Sequence, residues 1–275
     1  MSMRRILALL ACVAAFATAC SGFSPSTAEE GTRALDGPSE ALAEQIVATL
    51  RRMSEFLASR PAIRFEADIR YDSIQTSGQK IEFGSHRRIV LRRPDRARVE
   101  VSHWDGEREL LTFDGERLQV AIPERRVYAS MEYAGNVADA FDHLITEYGV
   151  ASPLSDLLRP DLPDEIATRA LSGRRLGTVE IEGTRCDHLV FRGERVDFQL
   201  FVRQGDEPVP IRFVIDYHAE PGSPQFRAQL RDWDLEPMLP DSLFRLVPPV
   251  GAQRVAFPEL MDLLLGPADP EAGDP

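Results

Sequence analysis

Residues 63–71 read Ile-Arg-Phe-Glu-Ala-Asp-Ile-Arg-Tyr, a strict alternation of apolar and charged side chains. Successive side chains of a β-strand point to opposite faces of a sheet, so this stretch predicts a strand with one dry face and one wet face. The alternation begins directly after Pro61, which stops a preceding helical pattern. A sheet that is buried on one face and solvated on the other is therefore the basis of the predicted fold.

Runs with strand character follow along the chain and are separated by turn-forming pairs. Asp114-Gly115 lies between two of these runs and is a strong hairpin signal, and Glu182-Gly183 and Gly205-Asp206 separate others. Consecutive strands joined by hairpins predict an antiparallel sheet of about ten strands. The predicted strands after the first lie at 80–92, 97–103, 108–113, 117–122, 125–129, 175–181, 185–191, 197–203, 211–218 and 225–233, before a last edge segment with Phe244, Leu246 and Val255.

Two segments change to helical spacing. After Ser39, a candidate N-cap, apolar residues recur every three or four positions as far as Leu57. Residues 137–148 show the same spacing and end at Gly149, and Leu154, Leu157 and Leu158 suggest another turn or two. Helices against the concave side of one strongly curved sheet would bury both apolar sets at once. The predicted class is therefore mainly β, within α+β.

Residues 1–19 have the layout of a secretory signal peptide. Arg4 and Arg5 precede an apolar run at 6–16, and Ala17-Thr18-Ala19 supplies small residues before a cysteine. The run is shorter than the roughly 20 residues that a membrane-spanning helix needs. It is also apolar all round, whereas a helix of a folded core is amphipathic. We therefore predict export from the cytosol to the periplasm.

Cys20 follows this run, and small residues before a cysteine resemble the lipobox of bacterial lipoproteins. In that motif the thiol is lipidated and the chain is cut before it. Ala17 stands where the motif usually has Leu, so ordinary cleavage to a soluble periplasmic protein is the alternative. Lipidation is favoured because Cys20 has no evident disulfide partner: Cys12 leaves with the signal, and Cys186 is expected to be a buried strand residue.

Lipidation of this cysteine predicts attachment to a membrane. Ser21, the next residue, is common in lipoproteins that pass to the outer membrane of bacteria resembling the enteric group. Residues 20–38 are rich in Ser, Gly, Pro and acidic side chains, which predicts a flexible tether. The folded domain is predicted at 39–258, and residues 259–275 are predicted to form a short helix and a disordered tail.

The charge balance narrows the possible partners. The chain has 32 Lys+Arg against 44 Asp+Glu, a formal net charge of −12. Nucleic acid binding requires clustered positive charge, so nucleic acid is not expected as a partner. Charge alone is equally unsuited to hold the protein on anionic lipid, whereas a lipid anchor acts through burial of acyl chains.

Motifs that carry chemistry are nearly absent from the sequence. It contains no G-x-S-x-G, no phosphate-binding Gly-rich loop, no H-E-x-x-H and no C-x-x-C. Asp139, His143 and Glu147 could form a carboxylate–imidazole–carboxylate row on one helix face, although a solvated face explains them equally well. No catalytic residue, metal or cofactor is predicted, and the protein is not expected to be an enzyme.

Several stretches resemble a family of predicted periplasmic proteins, domain of unknown function 2092. They are LTFDGERLQVAIPERRVYA at 111–129, EYGVASPLSDLL at 147–158, GTRCDHLVF at 183–191, DFQLFV at 197–202 and the ending from Trp233 through PDSLF to PPVGA at 248–252. The resemblance implies a fold similar to the LolA/LolB lipoprotein carriers. That fold is an open antiparallel half-barrel, with helices across its concave face and an apolar cavity able to hold acyl chains.

We therefore predict a non-enzymatic periplasmic binding protein for a lipid, a lipoprotein acyl chain or another long apolar ligand. A packed core is the alternative explanation for each lining residue. Two other functions stay open: a structural or assembly module that meets an envelope protein, favoured by a filled concave face, and a hydrolase of unknown type. The candidate lining residues are Phe65, Ile69, Val99, Val101, Leu118, Val120, Phe198, Leu200 and Val214, with Phe141, Leu144 and Leu157 as a lid.

Overall fold

A computed structural model describes residues 44–150, 153–248 and 250–265 of the chain. The predicted signal peptide, Cys20, the tether and the tail after 265 lie outside the described residues. The helices are α1 (Glu44–Ser59), α2 (Val137–Tyr148), α3 (Pro153–Asp156), α4 (Leu162–Arg169) and α5 (Phe257–Leu265). Two short 3-10 helices lie at Pro123–Arg125 and Asp241–Phe244.

The strands form one mixed but largely antiparallel sheet. They are β1 (Ala62–Ile74), β2 (Lys80–Arg92), β3 (Arg96–His103), β4 (Arg108–Phe113), β5 (Arg117–Ile122), β6 (Val127–Glu132), β7 (Ser172–Ile181), β8 (Thr184–Arg192), β9 (Asp197–Arg203), β10 (Pro210–Asp216), β11 (Gln225–Asp234) and β12 (Gln253–Arg254). The order across the sheet is β12-β6-β5-β4-β3-β2-β1-β11-β10-β9-β8-β7. The sheet is open, because β12 and β7 form two separate edges. The predicted α+β class and the antiparallel sheet are confirmed.

The sheet consists of two hairpin-connected runs, β1 to β6 and β7 to β11. They meet in the centre, where β1 pairs antiparallel with β11, for example Tyr71 with Phe226. The described strands number twelve rather than about ten. The predicted strand at 125–129 begins only at Val127, because Pro123–Arg125 is helical and Arg126 has a left-handed φ of 54°.

The predicted last edge segment is corrected. Phe244 belongs to a 3-10 helix, and the only strand in that part of the described chain is β12, which pairs with β6 in parallel. Val255 continues this pairing by donating its N–H to the Tyr128 carbonyl at 2.9 Å. The apolar residues of this segment are too few and too widely spaced to predict which of them enter the sheet.

The two faces of the sheet differ as the alternation at 63–71 predicts. The face that we call inner carries Ile63, Phe65, Ala67 and Ile69 of β1, all buried. The opposite, outer face carries ion pairs, such as Arg88 with Glu66 at 3.2 Å and Arg88 with Glu100 at 3.2 Å. Burial of the inner face and solvation of the outer face fix the register, because a shift of one residue would exchange the two sets of side chains.

The helices cover the inner face. Helix α1 buries Ile46, Leu50, Met53 and Leu57 at spacings of four and three, and packs against α4 and β7. Helix α2 has the predicted bounds and ends at Gly149, whose φ of 65° is readily adopted by glycine. Helix α4 was not predicted, although Pro163 near its start and acidic residues in its first turn are start signals. Cys186 is buried on β8, as expected, and burial raises the pKa of its thiol to about 11.

Candidate ligand cavity

A cavity of about 570 Å³ lies between the inner face of the sheet and helices α2, α3 and α5. Ligand-binding pockets of proteins typically measure ~300–1,000 Å³ and have mostly apolar walls with a few polar groups. Among the described residues, β1 to β5 and β11 contribute the floor of the cavity, and the helices contribute its roof. The volume is therefore in the range of a small-molecule site.

The floor of the cavity is a row of apolar side chains that crosses five strands. Phe65 pairs with Ile89, Ile89 with Val99, Val99 with Leu111, and Leu111 with Val120. All five residues line the cavity. Directly paired residues on one face of a sheet have Cβ atoms about 5 Å apart, so this row forms a continuous apolar strip.

The roof is formed by apolar side chains of the helices. Val137, Phe141 and Leu144 of α2 recur at spacings of four and three, so they share one helix face and contact the same space. Leu154 and Leu158, in and directly after α3, extend this surface, and Met261 and Leu264 of α5 complete it; all four line the cavity. The sheet and the helices thus enclose an apolar interior.

Exposed residues at one side of the cavity mark its mouth. Asp142 on α2 and Asp161 before α4 line the cavity and are exposed to solvent. Arg159 forms ion pairs with both, and its guanidinium nitrogens lie 3.4 Å from a carboxylate oxygen of Asp142 and 2.9 Å from one of Asp161. The hydrogen bond from Arg159 is the main cause that lowers the pKa of Asp161. An ion-paired rim therefore connects α2 with the loop before α4 at the solvent side of the cavity.

Polar side chains border the cavity beyond the apolar strip, on the side toward the end of β1. They are Tyr71, Arg87, His103 and Glu109, on β1 to β4. Arg87 and Glu109 lie on the two sides of Val101 in the next row of the inner face. His103 Nε2 lies 2.9 Å from Glu109 Oε1. Arg93 borders the cavity beyond the opposite side of the strip and donates to the Leu57 carbonyl at 3.4 Å.

A family model described as "Predicted periplasmic protein (DUF2092)" matches residues 47–258. The chain belongs to this family. The match spans β1 to β12, so it includes every strand of the floor and helices α2 and α3 of the roof. A search of curated protein sequences finds no significant match for this DUF2092 chain.

Solved structures of low sequence identity resemble this DUF2092 chain. Lipoprotein LppX of Mycobacterium tuberculosis has 12% identity and a TM-score of 0.44, covering 72% of this chain and 98% of its own. LprF of Mycobacterium bovis has 12% identity and a TM-score of 0.45, and the alignment covers 73% of this chain and 98% of LprF. The LolA superfamily protein NE2245 of Nitrosomonas europaea has 13% identity and a TM-score of 0.37, and the alignment covers 72% of this chain and 96% of NE2245.

Six of the candidate lining residues named from the sequence lie at the cavity. They are Phe65, Val99, Val101, Val120, Phe141 and Leu144. Ile69, Leu118 and Leu157 are buried in the surrounding core instead. Phe198 and Leu200 lie on the inner face of β9, in the half of the sheet beyond β11, where they pack against the core.

Val214 was assigned to the inner face, and the structure corrects this assignment. It pairs with Gln199 and Arg227, whereas its neighbour Phe213 pairs with Leu200 and Ala228 and is buried. Phe213, Val214 and Ile215 are three consecutive apolar residues, so alternation alone could not decide which of them face inward. A bulge between Pro210 and Arg212 also shifts the register at the start of β10.

The polar end of the cavity was missed, although the sequence carries a signal for it. Ile81, Phe83, Ser85, Arg87, Ile89 and Leu91 alternate in β2, so the face that holds Ile89 and Leu91 must also hold Arg87. An arginine at an inward-facing position of a strand is uncommon without a partner. Such a position is a candidate for a functional side chain.

The candidate row Asp139, His143 and Glu147 lies on α2 without the contacts of a catalytic set. The His143 ring stacks on Tyr133 at 4.9 Å and meets the edge of Tyr148 at 5.9 Å. Its Nε2 is buried and has no hydrogen-bond partner among the described residues. Asp139 instead accepts a hydrogen bond from Asn136 at 2.7 Å, at the N-terminus of α2. Within the described ranges, no three potential metal ligands form a group.

Within residues 44–150, 153–248 and 250–265, no helix has both the length and the apolar character to cross a bilayer.

Proposed function

We propose that this protein is a non-enzymatic binding protein of the periplasm that holds a lipid, a lipoprotein acyl chain or another long apolar ligand. The observation that carries the proposal is the cavity of about 570 Å³ over the apolar strip from Phe65 to Val120. In this proposal the open sheet is a strongly curved half-barrel, and α2, α3 and α5 lie against its concave face. No residue of the chain is assigned a catalytic role, and no metal or cofactor is required.

The size of the cavity supports binding over a purely structural role. A structural or assembly module would bury its inner face in a packed core, which leaves few voids larger than a water molecule. Here the apolar strip borders a cavity that a ligand can fill, and Val99 and Leu111 of the strip are only partly buried. An apolar ligand would remove this surface from water, at about 25 cal/mol for each Å². Contact with an envelope protein partner, for ligand delivery, is compatible with this function.

The stacking of His143 argues against a hydrolase that uses Asp139, His143 and Glu147. A general base must reach the proton that it abstracts within hydrogen-bond distance, about 3 Å. His143 is held between Tyr133 and Tyr148 and is paired with neither Asp139 nor Glu147 in the described contacts. The described contacts therefore give His143 no oriented acid–base partner.

The proposed location follows from the family and from the start of the chain. Family members are described as predicted periplasmic proteins. Lipidation of Cys20 would anchor the domain to the outer membrane on its periplasmic side. Stable attachment needs more than one acyl chain, because a single chain gives only marginal membrane affinity. Nucleic acid is not proposed as a partner, given the net charge of −12.

The proposal is tested by titrating the purified, lipid-free protein with a fluorescent fatty acid. Saturable binding with one site per chain, displaced by an unlabelled fatty acid, is expected. Trp233 offers a second signal, because its ring stacks on Phe65 at 4.3 Å and Phe65 lines the cavity. Absence of uptake together with an unchanged tryptophan emission would overturn the proposal.

A further inference from the structure

Arg87 lies on the inner face of the sheet without a hydrogen-bonded partner in the part of the chain that the structure describes. On β2 it is flanked by Ala67 of β1 and Val101 of β3, two apolar neighbours. Its Nε is buried and has no hydrogen-bond partner among the described residues. Part of its side chain remains accessible, and the accessible part faces the cavity that it lines.

The surroundings of Arg87 disfavour its charge. Burial lowers the pKa of the Arg87 guanidinium, and the charges of Glu109 and the Tyr71 hydroxyl only partly oppose this effect through space. Glu109 is already engaged by His103 at 2.9 Å. Arginine practically never loses its proton in proteins, so the charge persists and its donors stay incompletely satisfied. A buried charge without a close partner is strongly unfavourable, and buried charges in proteins are usually paired.

Arg88, the next residue, has the ion-pair partners that Arg87 lacks within the described ranges. It faces solvent on the outer side of the sheet, where Glu66 and Glu100 each lie 3.2 Å from its nitrogens. Among the described residues of the inner face, Glu109 acts on Arg87 only through space, and no carboxylate forms a hydrogen bond with it. Arg87 therefore retains hydrogen-bond donors for an acceptor in the cavity that it lines.

We propose that Arg87 binds the acidic head group of the ligand, with the Tyr71 hydroxyl as a second donor. This inference rests on the proposed function and specifies the ligand class: a long-chain acid, whose carboxylate or phosphate reaches Arg87. A guanidinium offers two parallel N–H donors to the two oxygens of such a group. The burial that raises the pKa of Tyr71 keeps its hydroxyl protonated and able to donate.

The position of Arg87 also orients the ligand. Arg87 is two residues from Ile89, which belongs to the apolar strip, so a head group at Arg87 places the attached chain over that strip. Two further groups of the same site, His103 and Glu109, face the cavity beside Val101. Because they bind each other, the acidic head group is assigned to Arg87 rather than to His103.

The test compares two ligands that share one chain length and differ only in the head group. The full-length chain, purified and stripped of lipid, is titrated calorimetrically with palmitic acid and with hexadecanol. Palmitic acid is expected to bind roughly tenfold or more tightly than the alcohol, because hydrogen bonds to a charged group are stronger than neutral ones. A third titration with palmitoyl lysophosphatidic acid tells whether a phosphate or a carboxylate is the better head group.

Three methionine variants locate the effect. R87M is expected to lose the preference for either acid and to keep its affinity for hexadecanol. R88M, on the outer face, and R93M, on the other side of the strip, are expected to keep the preference. An undiminished preference in R87M, or an equal loss in R93M, would overturn the assignment. Equal binding of acid and alcohol by the unmodified protein would overturn the head-group site alone, and binding of neither would overturn the proposed function as well.

Discussion

Arg87 and Arg88 are adjacent in β2 and face opposite sides of the sheet, one toward the cavity and one toward solvent. Arg88 has carboxylate partners in Glu66 and Glu100, whereas the Nε of Arg87 is buried without an acceptor among the described residues. The same residue type thus stabilises the fold at one position and is unfavourable at the next. This contrast can be measured as a difference in stability.

R87M is expected to stabilise the ligand-free protein. Replacing buried ionic groups by well-packed apolar side chains of similar volume is often neutral or stabilises a protein, by up to about 4 kcal/mol. R88M removes only exposed ion pairs, and the free energy of unfolding should fall by no more than about 1 kcal/mol. Urea denaturation of both variants, stripped of lipid, measures these changes. A strongly destabilised R87M would indicate that Arg87 has a structural role.

Filling the cavity from its floor should abolish ligand uptake. Val99 lies in the middle of the apolar strip, and a tryptophan at this position would extend into the cavity. V99W is expected to fold, because the indole occupies existing space, and to lose binding of a fluorescent fatty acid. V214W is the matched control, since Val214 faces away from the cavity on β10. Normal uptake by V99W would show that the ligand binds elsewhere.

Asp156 gives the fold a pH dependence of defined sign. Burial, followed by the nearby charge of Glu165, raises the pKa of Asp156 from 3.8 to about 6. The folded protein therefore binds this proton more tightly than the unfolded chain. The contribution of Asp156 to stability is fully present below the unfolded pKa and is lost as the pH rises through about 6.

D156N removes this loss. The variant should be more stable than the unmodified protein at about pH 7.5, by up to roughly 2–3 kcal/mol, and little different at about pH 4.

Asp161 supplies the opposite case, because the hydrogen bond from Arg159 lowers its pKa. D161N should therefore be slightly less stable near neutral pH, by under about 1 kcal/mol for so exposed a group. Thermal unfolding measured between about pH 4 and about pH 7.5 tests these changes in stability. A stability profile of D156N that runs parallel to that of the unmodified protein over this range would contradict the prediction.

Cys20 should determine where the protein is found in the cell. The C20S variant cannot be lipidated, so it is expected in the soluble periplasmic fraction or, if processing is blocked, with its signal uncleaved. The unmodified protein should fractionate with the outer membrane. Mass spectrometry of its first mature residue would show a lipidated cysteine. An unmodified N-terminal cysteine on freely soluble protein would instead support ordinary secretion.

Local patterns predicted most of the secondary structure. Alternation located β1, and helical spacing with a terminal glycine gave α2 its bounds. The pairing of β1 with β11 joins residues such as Tyr71 and Phe226, which are far apart in sequence, and no local period encodes it. Strand β12 is only two residues long, too short to show any period. Long-range pairing and short edge strands therefore required the structure.

Only part of the candidate site could be predicted, because it too depends on contacts that a local pattern does not encode. Alternation tells which face a side chain occupies, and Phe65 and Val120 were found in this way. It does not tell which buried side chains border a cavity: Phe65 and Val120 do, whereas the equally buried Ile69 and Leu118 do not. Arg87 was missed because attention to apolar residues excluded a charge at an inward-facing position. A charged residue in phase with a buried set deserves the same weight as the apolar residues around it.

The most direct test of a lipid-binding cavity is the content of the protein as cells produce it. Full-length protein isolated under mild conditions is extracted with organic solvent, and the extract is analysed by mass spectrometry beside that of V99W. We expect about one long-chain acidic lipid per chain from the unmodified protein, and little or none from V99W. An extract free of lipid, from a protein that also takes up no fatty acid when titrated, would contradict the central claim.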